Sequence, residues 1–231
     1  MKKIILLSIF TFLITKLNAQ VFTSDYIALT VPQHYDGTIW HINNDTIQEI
    51  KEVKDLKNNY TLLRSFPNSV SNVTVYKVTS DGELKFAGIG ISGKNEVYQV
   101  IYDFSQTQTV TWNENGKDES VLIGVGVRMV AKVKTQKAGI NLSSPFSLVA
   151  NTEKVEGSLE VRVTGISSRK INELIPTTTD LSPSSISVAL QAVATIKSHI
   201  HDKETIITPQ YLAYSLPDKT VDEKSIKVVK K

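Results

Sequence analysis

The segment 121–135 shows the clearest alternation of apolar and polar positions in the chain. All of its odd positions up to residue 133 are apolar, whereas its even positions change from leucine and glycine to Arg128, Lys132 and Lys134. Period-two alternation places one face of a β-strand against a core. The opposite face, formed by the even positions, is predicted to be covered near residue 121 and exposed to solvent near residue 135. Because a strand rises about 3.3 Å per residue, this length predicts a bend or bulge at the two glycines in its middle.

Further alternating segments predict more strands around this one. They are rich in β-branched and aromatic residues and span 72–79, 83–91, 97–104, 107–112 and 155–165. Asp81-Gly82 and Asn115-Gly116 separate neighbouring segments, and both dipeptides are strong hairpin signals. The pattern predicts an antiparallel β-meander.

The helical signals lie closer to the C-terminus. Ser144-Pro145 predicts one helical turn, Ser167 and Ser168 are caps for a short helix to Ile175, and Ser182-Pro183 starts a longer one. The longer helix has an apolar stripe of helical spacing, formed by Ile186, Ala189, Leu190, Val193, Ile196 and Ile200. Residues 205–215 return to strand. The predicted class is α+β: an antiparallel sheet of about seven to nine strands, one or two helices packed on it near the C-terminus, and a closing C-terminal strand.

The domain organisation follows from these elements. Residues 20–216 are predicted to form a single α+β domain, and the polar, lysine-rich segment 217–231 a flexible basic tail. The pattern within residues 20–70 is compatible with two alternatives. Either residues 38–42 and 46–53 pair as two strands, or residues 46–57 form a helix.

The first 19 residues have the pattern of a cleaved secretory signal. Lys2 and Lys3 precede an uncharged stretch, residues 4–15. This stretch matches a signal-peptide core and is shorter than the ~20 apolar residues that span a bilayer. Cleavage is predicted between Ala19 and Gln20, and the Asn-Ala-Gln ending is similar to that of Bacteroidota signals. The protein is therefore expected in the periplasm, at the cell surface or in the secreted fraction.

The amino-acid composition excludes several kinds of site and gives no support to another. The chain has no cysteine, which excludes disulfides, thiolate metal sites, cysteine nucleophiles and a lipoprotein-type lipid anchor. Removing Lys2, Lys3 and Lys16 with the signal leaves equal numbers of basic and acidic residues, since the whole chain has 26 and 23 and the signal contains no acidic residue. A net charge of zero gives no argument for binding nucleic acid.

Two glycine-containing segments fall short of nucleotide-binding motifs. Residues 88–95 nearly match a P-loop, but Asn95 replaces the serine or threonine after Lys94, and a strand follows instead of a helix. Gly124 and Gly126 lack the third glycine of a dinucleotide site. No Gly-x-Ser-x-Gly or His-Glu-x-x-His motif is present. No cofactor is predicted.

The four histidines are His34, His41, His199 and His201. His199 and His201 are the strongest candidates for a metal site, because residues i and i+2 share a face on a strand. On a helix they diverge by about 200°, and these two lie at a predicted helix end, where a cationic histidine favours the helix dipole. No metal site is therefore predicted.

The aromatic strand suggests two further candidates. Tyr98, Tyr102 and Trp112, with Phe104, form either a platform for a carbohydrate or peptide, or packing within the sheet, which is the commoner arrangement. Asp103 lies between Tyr102 and Phe104, where burial would raise the pKa of its carboxyl group. A carboxylate on the solvated face is the more frequent case, and no catalytic residue is predicted.

These observations favour an exported, non-enzymatic protein of the cell envelope or secretome that binds a protein or a glycan. The long alternating segment 121–135 supports an alternative, a membrane-active or pore-forming protein. An exported hydrolase with a scattered site is a third possibility. Asp45-Thr46-Ile47 resembles the Asp-Ser/Thr-aliphatic O-glycosylation site of Bacteroidota, so Thr46 is a candidate for modification.

The cleavage site is directly testable. N-terminal sequencing of protein recovered from the periplasm or medium is expected to begin at Gln20, within a residue or two. Recovery of exported protein that retains Met1 would contradict the signal-peptide interpretation.

Overall fold

The computed structural model describes residues 25–34, 66, 68–88, 90–114 and 117–215. The strands are β1 Tyr26–His34, β2 Asn68–Val78, β3 Leu84–Phe86, β4 Val97–Glu114, β5 Lys117–Thr135, β6 Val155–Thr164, β7 Ile166–Ser167, β8 Thr179–Asp180, β9 Ile206–Ile207 and β10 Gln210–Ser215. The helices are α1 Pro145–Val149, α2 Arg169–Leu174 and α3 Pro183–His199, with a 3₁₀ turn at Thr152–Lys154. This content confirms the predicted α+β class, dominated by the sheet.

Eight of the strands form one antiparallel sheet. Its order is β1-β10-β5-β4-β2-β3, with β6 beside β5 and β8 beside β6, while β7 and β9 form a separate pair. β3 and β4 pair with opposite edges of β2. The strand order therefore departs at this point from the chain order of a simple meander.

β5 is the central strand of the sheet. One of its edges pairs with β4 along the whole strand, while the other pairs with β10 up to Gly124 and with β6 from Gly126 onwards. A Cβ atom at Gly124 would lie 2.0 Å from the carbonyl oxygen of Gln106, and one at Gly126 would lie 2.6 Å from that of Phe104. Only glycine permits this close approach of β4 and β5 where β5 changes partner.

One face of the sheet carries the apolar core beneath the helices. Every odd residue of β5 from Val121 to Val133 is buried, as the alternation predicts. The even residues of β4 from Tyr98 to Phe104 join the same cluster. α3 covers this face with four buried residues of its predicted stripe, Ile186, Ala189, Val193 and Ile196.

The opposite face is buried at its centre, which corrects two expectations about solvated positions. Arg128 is 1% exposed and Asp103 is 6% exposed, although both were expected on a solvated face. They are register partners on β5 and β4. Arg128 donates from Nε to Oδ1 of Asp103 at 2.6 Å and from Nη2 to Oδ2 at 2.8 Å. Lys132 and Lys134, farther along β5, are exposed as predicted.

β1, which pairs with β10 at one edge of the sheet, covers this ion pair and is held in place by side chains of β2. The backbone N–H of Ala28 donates to Oγ1 of Thr74 at 2.8 Å, and the hydroxyl of Tyr76 donates to the Ala28 carbonyl. Nη1 of Arg128 donates to the carbonyl of Leu29. Leu29 lies in the part of β1 that leaves the register with β10, so Arg128 provides a partner that the ladder does not.

The helices begin where the sequence predicts. Serine side chains cap all three described helices, at Ser144, Ser168 and Ser182. Ser182 and Ser185 form a reciprocal capping box at the start of α3, which satisfies two backbone donors that would otherwise lack partners.

Several strand boundaries differ from the prediction. The segments 97–104 and 107–112 join into the single strand β4, because β5 pairs with it without interruption. The return strand predicted over 83–91 is reduced to β3, since the chain turns at Gly88, whose φ is +70°. The closing segment 205–215 divides into β9 and β10.

Two substitutions test the assignment of the faces of β5. Val127 is 1% exposed and Lys132 is exposed. Val127→Asp buries an unpaired charge and is expected to lower the free energy of unfolding by several kcal/mol, whereas Lys132→Glu should change it by less than about 1 kcal/mol. Thermal melts of both variants provide the measurement. Equal, small shifts in melting temperature would show that the assignment is wrong.

Candidate functional site

A cleft of about 310 Å³ lies between β6, β8 and the first turns of α3. Its floor is aliphatic, formed by Leu159 and Val161 of β6 and by Ala189 of α3. Its rim is formed mainly by polar residues: Thr177, Thr179, Asp180, Ser182, Ser184 and Ser185. We call it the hydroxyl-rimmed cleft. Its volume is at the lower end of the roughly 300–1,000 Å³ typical of ligand pockets, which suits one small group.

The cleft exists because β8 leaves the sheet edge after two residues. β8 pairs with β6 only at Ser158 and Leu159. Pro176 and Thr177, which precede β8, line the cleft and make no pair with β6. The unpaired edge of β6 and the segment that precedes β8 therefore both border the cleft.

The rim is fixed by the capping interactions of α3. The hydroxyl of Ser185 accepts from the backbone N–H of Ser182 at 2.9 Å and donates to the carbonyl of Asp180 at 2.8 Å. These bonds tie β8 to the start of the helix. The hydroxyl side of the cleft is therefore held in one arrangement before any ligand binds.

The charge of the rim is negative. Asp180 is exposed, and its carboxylate has no ion pair or hydrogen bond within the described part of the chain. The neighbouring charges on β6 neutralise each other, because Arg162 donates to Glu160 at 2.7 Å, and this hydrogen bond lowers the pKa of Glu160. A positively charged group beside the cleft would be attracted to Asp180.

One lip of the cleft is apolar and exposed. Val188 lines the cleft and is 55% exposed. An exposed apolar lip beside an apolar floor provides a continuous surface for a hydrophobic group that enters from solvent.

A second hollow, of about 260 Å³, lies at the other end of α3. Ser69, Phe104, Gln106, Lys197 and His201 contribute to its lining. It adjoins the start of β2, next to residues that the structure does not describe.

The histidine candidates do not converge on a metal site in the described part of the chain. His199 ends α3, and its Nδ1 lies 2.9 Å from Oδ2 of Asp202. Hydrogen bonding from His199 lowers the pKa of Asp202. His201 follows the helix end and is exposed. Among the described residues, no group of three or more histidines and carboxylates could hold a metal ion.

The two described tyrosines of the candidate aromatic platform lie inside the fold. Tyr102 is fully buried, its hydroxyl donates to the carbonyl of Leu142 at 2.8 Å, and burial raises the pKa of that hydroxyl well above its ordinary value. Tyr98 is 4% exposed, and Gly93 N–H donates to its hydroxyl at 2.8 Å. Neither ring presents an open face on which a sugar or peptide could stack.

Several candidates lie outside the described residues. They are the cleavage site at Ala19 and Gln20, Thr46, His41, and the side chains of His34 and Trp112. The near P-loop is described in part: Lys94 and Asn95 form a turn, with Asn95 at a φ of +58°, and β4 follows instead of a helix.

The residues of the hydroxyl-rimmed cleft were not singled out from the sequence. The sequence predicts a loop over residues 177–180 and a helix start at Ser182-Pro183. The structure confirms the helix start but has β8 at Thr179–Asp180, within the predicted loop. The one available signal was the density of serine and threonine in this segment, and that signal is shared by ordinary helix caps and turns.

Known proteins provide no further assignment. Comparisons with protein-family models, with curated proteins and with solved structures find no significant match to this chain.

Proposed function

We propose that the protein is an exported, non-catalytic binding protein of the cell envelope or secreted fraction. Its partner is a protein that inserts one apolar side chain into the hydroxyl-rimmed cleft. The observation that carries this proposal is the arrangement of the cleft, an aliphatic floor enclosed by a polar rim. Protein–protein interfaces have the same arrangement, with an apolar anchor in a pocket surrounded by polar contacts.

The composition of the cleft supports a protein partner over a glycan. Its lining contains no aromatic side chain, and Tyr98 and Tyr102, the described tyrosines of the candidate platform, are buried. The aliphatic surface of Leu159, Ala189 and Val188 is suited to a hydrocarbon side chain. A glycan is the other partner class that the sequence leaves open, and peptide selection combined with a glycan array distinguishes the two.

The same lining supports a non-catalytic role. Its titratable side chains consist of the single carboxylate of Asp180, without histidine, lysine or arginine. Hydrolysis by an activated hydroxyl requires a base close to the nucleophile, and glycoside hydrolysis requires two carboxylates. A cleft with one carboxylate fits neither.

The membrane-active alternative gains no specific support. Among the described residues, no helix is both long enough and apolar enough to cross a bilayer. β5, whose length suggested this alternative, has both faces buried at its centre, at Val127 and Arg128. Release of dye from liposomes is the measurement that would favour it.

Selection and substitution together test the proposal. The mature protein is used to select from a random peptide library displayed on phage and to probe a glycan array. We expect enriched peptides that share one apolar residue, with Val188→Lys weakening the binding of the best synthetic peptide about tenfold or more. Ile206→Lys is the matched control, because Ile206 is a β-branched residue that is 64% exposed and does not line the cleft.

Two results would contradict the proposal. One is binding on the glycan array without any enriched peptide. The other is equal affinity of the selected peptide for the Val188→Lys and Ile206→Lys variants, which would place its binding site elsewhere.

A further inference from the structure

We infer that the partner segment binds in an extended conformation, as an added strand on the outer edge of β6, with a basic residue facing Asp180. This inference rests on the proposed function and specifies how the same cleft recognises its partner. It follows from the hydrogen-bonding state of the β6 backbone.

The direction of each main-chain group on β6 is fixed by its neighbours. The backbone N–H of Leu181 donates to the carbonyl of Gly157 at 2.9 Å, on the edge away from β5. In an antiparallel ladder, main-chain groups alternate between the two edges. The odd residues of β6 therefore direct their N–H and carbonyl groups outward, and the even residues direct theirs towards β5.

The outer edge is paired at both ends and open between them. Leu159 pairs with Thr179 of β8, and the carbonyl of Gly165 accepts from Thr208 N–H at 2.8 Å. Between them lie Val161 and Val163, whose outward main-chain groups have no partner within the described part of the chain. Such an edge is a template for an added strand.

The hydroxyl-rimmed cleft lies where the missing pairing would be. Continuing the register of β8 from Thr179 opposite Leu159 would place Thr177 opposite Val161. These two residues do not pair and both line the cleft, so the unpaired part of the β6 edge borders the cleft. A bound segment therefore meets the aliphatic floor and the unpaired β6 backbone together. Val161 is 3% exposed, whereas Val163 is half-buried, so the strand adds from the Val163 side.

The chemistry of the partner follows from this geometry. Side chains of an added strand alternate between the two faces of the sheet, so every second side chain points towards α3, where Ala189 and Val188 receive the apolar anchor. Asp180 is in register with Ser158, which places its side chain on the other face of the sheet, and it has no cationic partner in the described part of the chain. It therefore favours lysine or arginine at a peptide position adjacent to the anchor. The partner is an extended peptide with an apolar and a basic residue close together.

N-methylation of the selected peptide tests the inference. Methylating one backbone nitrogen at a time removes single N–H donors and leaves the side chains unchanged. Strand addition predicts losses of about tenfold at alternate positions and little loss at those between them. Loss on replacing the anchor with alanine, with no effect of N-methylation, would overturn the inference and leave the proposed function intact. Failure to select any peptide is a failure of the proposed function itself.

A matched pair of variants tests the same point on the protein. Val163→Pro removes an outward N–H without removing a bond to β5, and edge positions tolerate proline. Val163→Ala shortens the side chain and retains the N–H. We expect about tenfold weaker peptide binding for Val163→Pro and little change for Val163→Ala. Equal affinities in two variants with similar melting temperatures would contradict strand addition, and the N-methyl series decides the matter if Val163→Pro fails to fold.

Discussion

The buried ion pair between Arg128 and Asp103 is the interaction on which the two-sided burial of the sheet depends. It joins the two longest described strands, β4 and β5, and Nη1 of Arg128 donates to the main chain of β1 at Leu29. A buried arginine is costly unless its donors have partners, and here Nε, Nη1 and Nη2 all have them. Arg128 in turn donates to a carbonyl in the irregular part of β1, where the ladder with β10 provides no donor. The ion pair and the covering strand therefore depend on each other.

The sequence predicts those features of the fold that depend on residues close together in the chain, and misses those that depend on distant residues. The helix starts at Ser168 and Ser182 and the apolar face of β5 were predictable, because capping and periodicity depend on nearby residues. The burial of Arg128 and Asp103 was not, because it requires β1, about a hundred residues distant in the chain from Arg128. From the sequence alone, a charged residue on a strand is expected to face solvent, because its charge does not reveal that a distant strand covers it.

The candidate site shows the same limit in another form. Its floor and lip come from β6 and α3, which were both predicted, but the cleft is produced by how far β8 departs from the edge of β6. The two-residue pairing of β8 and the hydrogen bond from Ser185 to the carbonyl of Asp180 are tertiary features that no periodic pattern encodes. Stable core elements thus position a short, unpaired length of backbone, and the proposed binding site is the place where the ladder is incomplete.

A double-mutant cycle on the ion pair tests the central claim most directly. The free energy of unfolding in urea is measured for Arg128→Met, Asp103→Leu and the double variant. Each single substitution leaves one buried charge unpaired and is predicted to cost about 3–5 kcal/mol. The double variant is predicted to cost well below the sum of the two, because it leaves no unpaired charge. Single costs below about 1 kcal/mol that simply add would be typical of a solvent-exposed pair and would contradict the account.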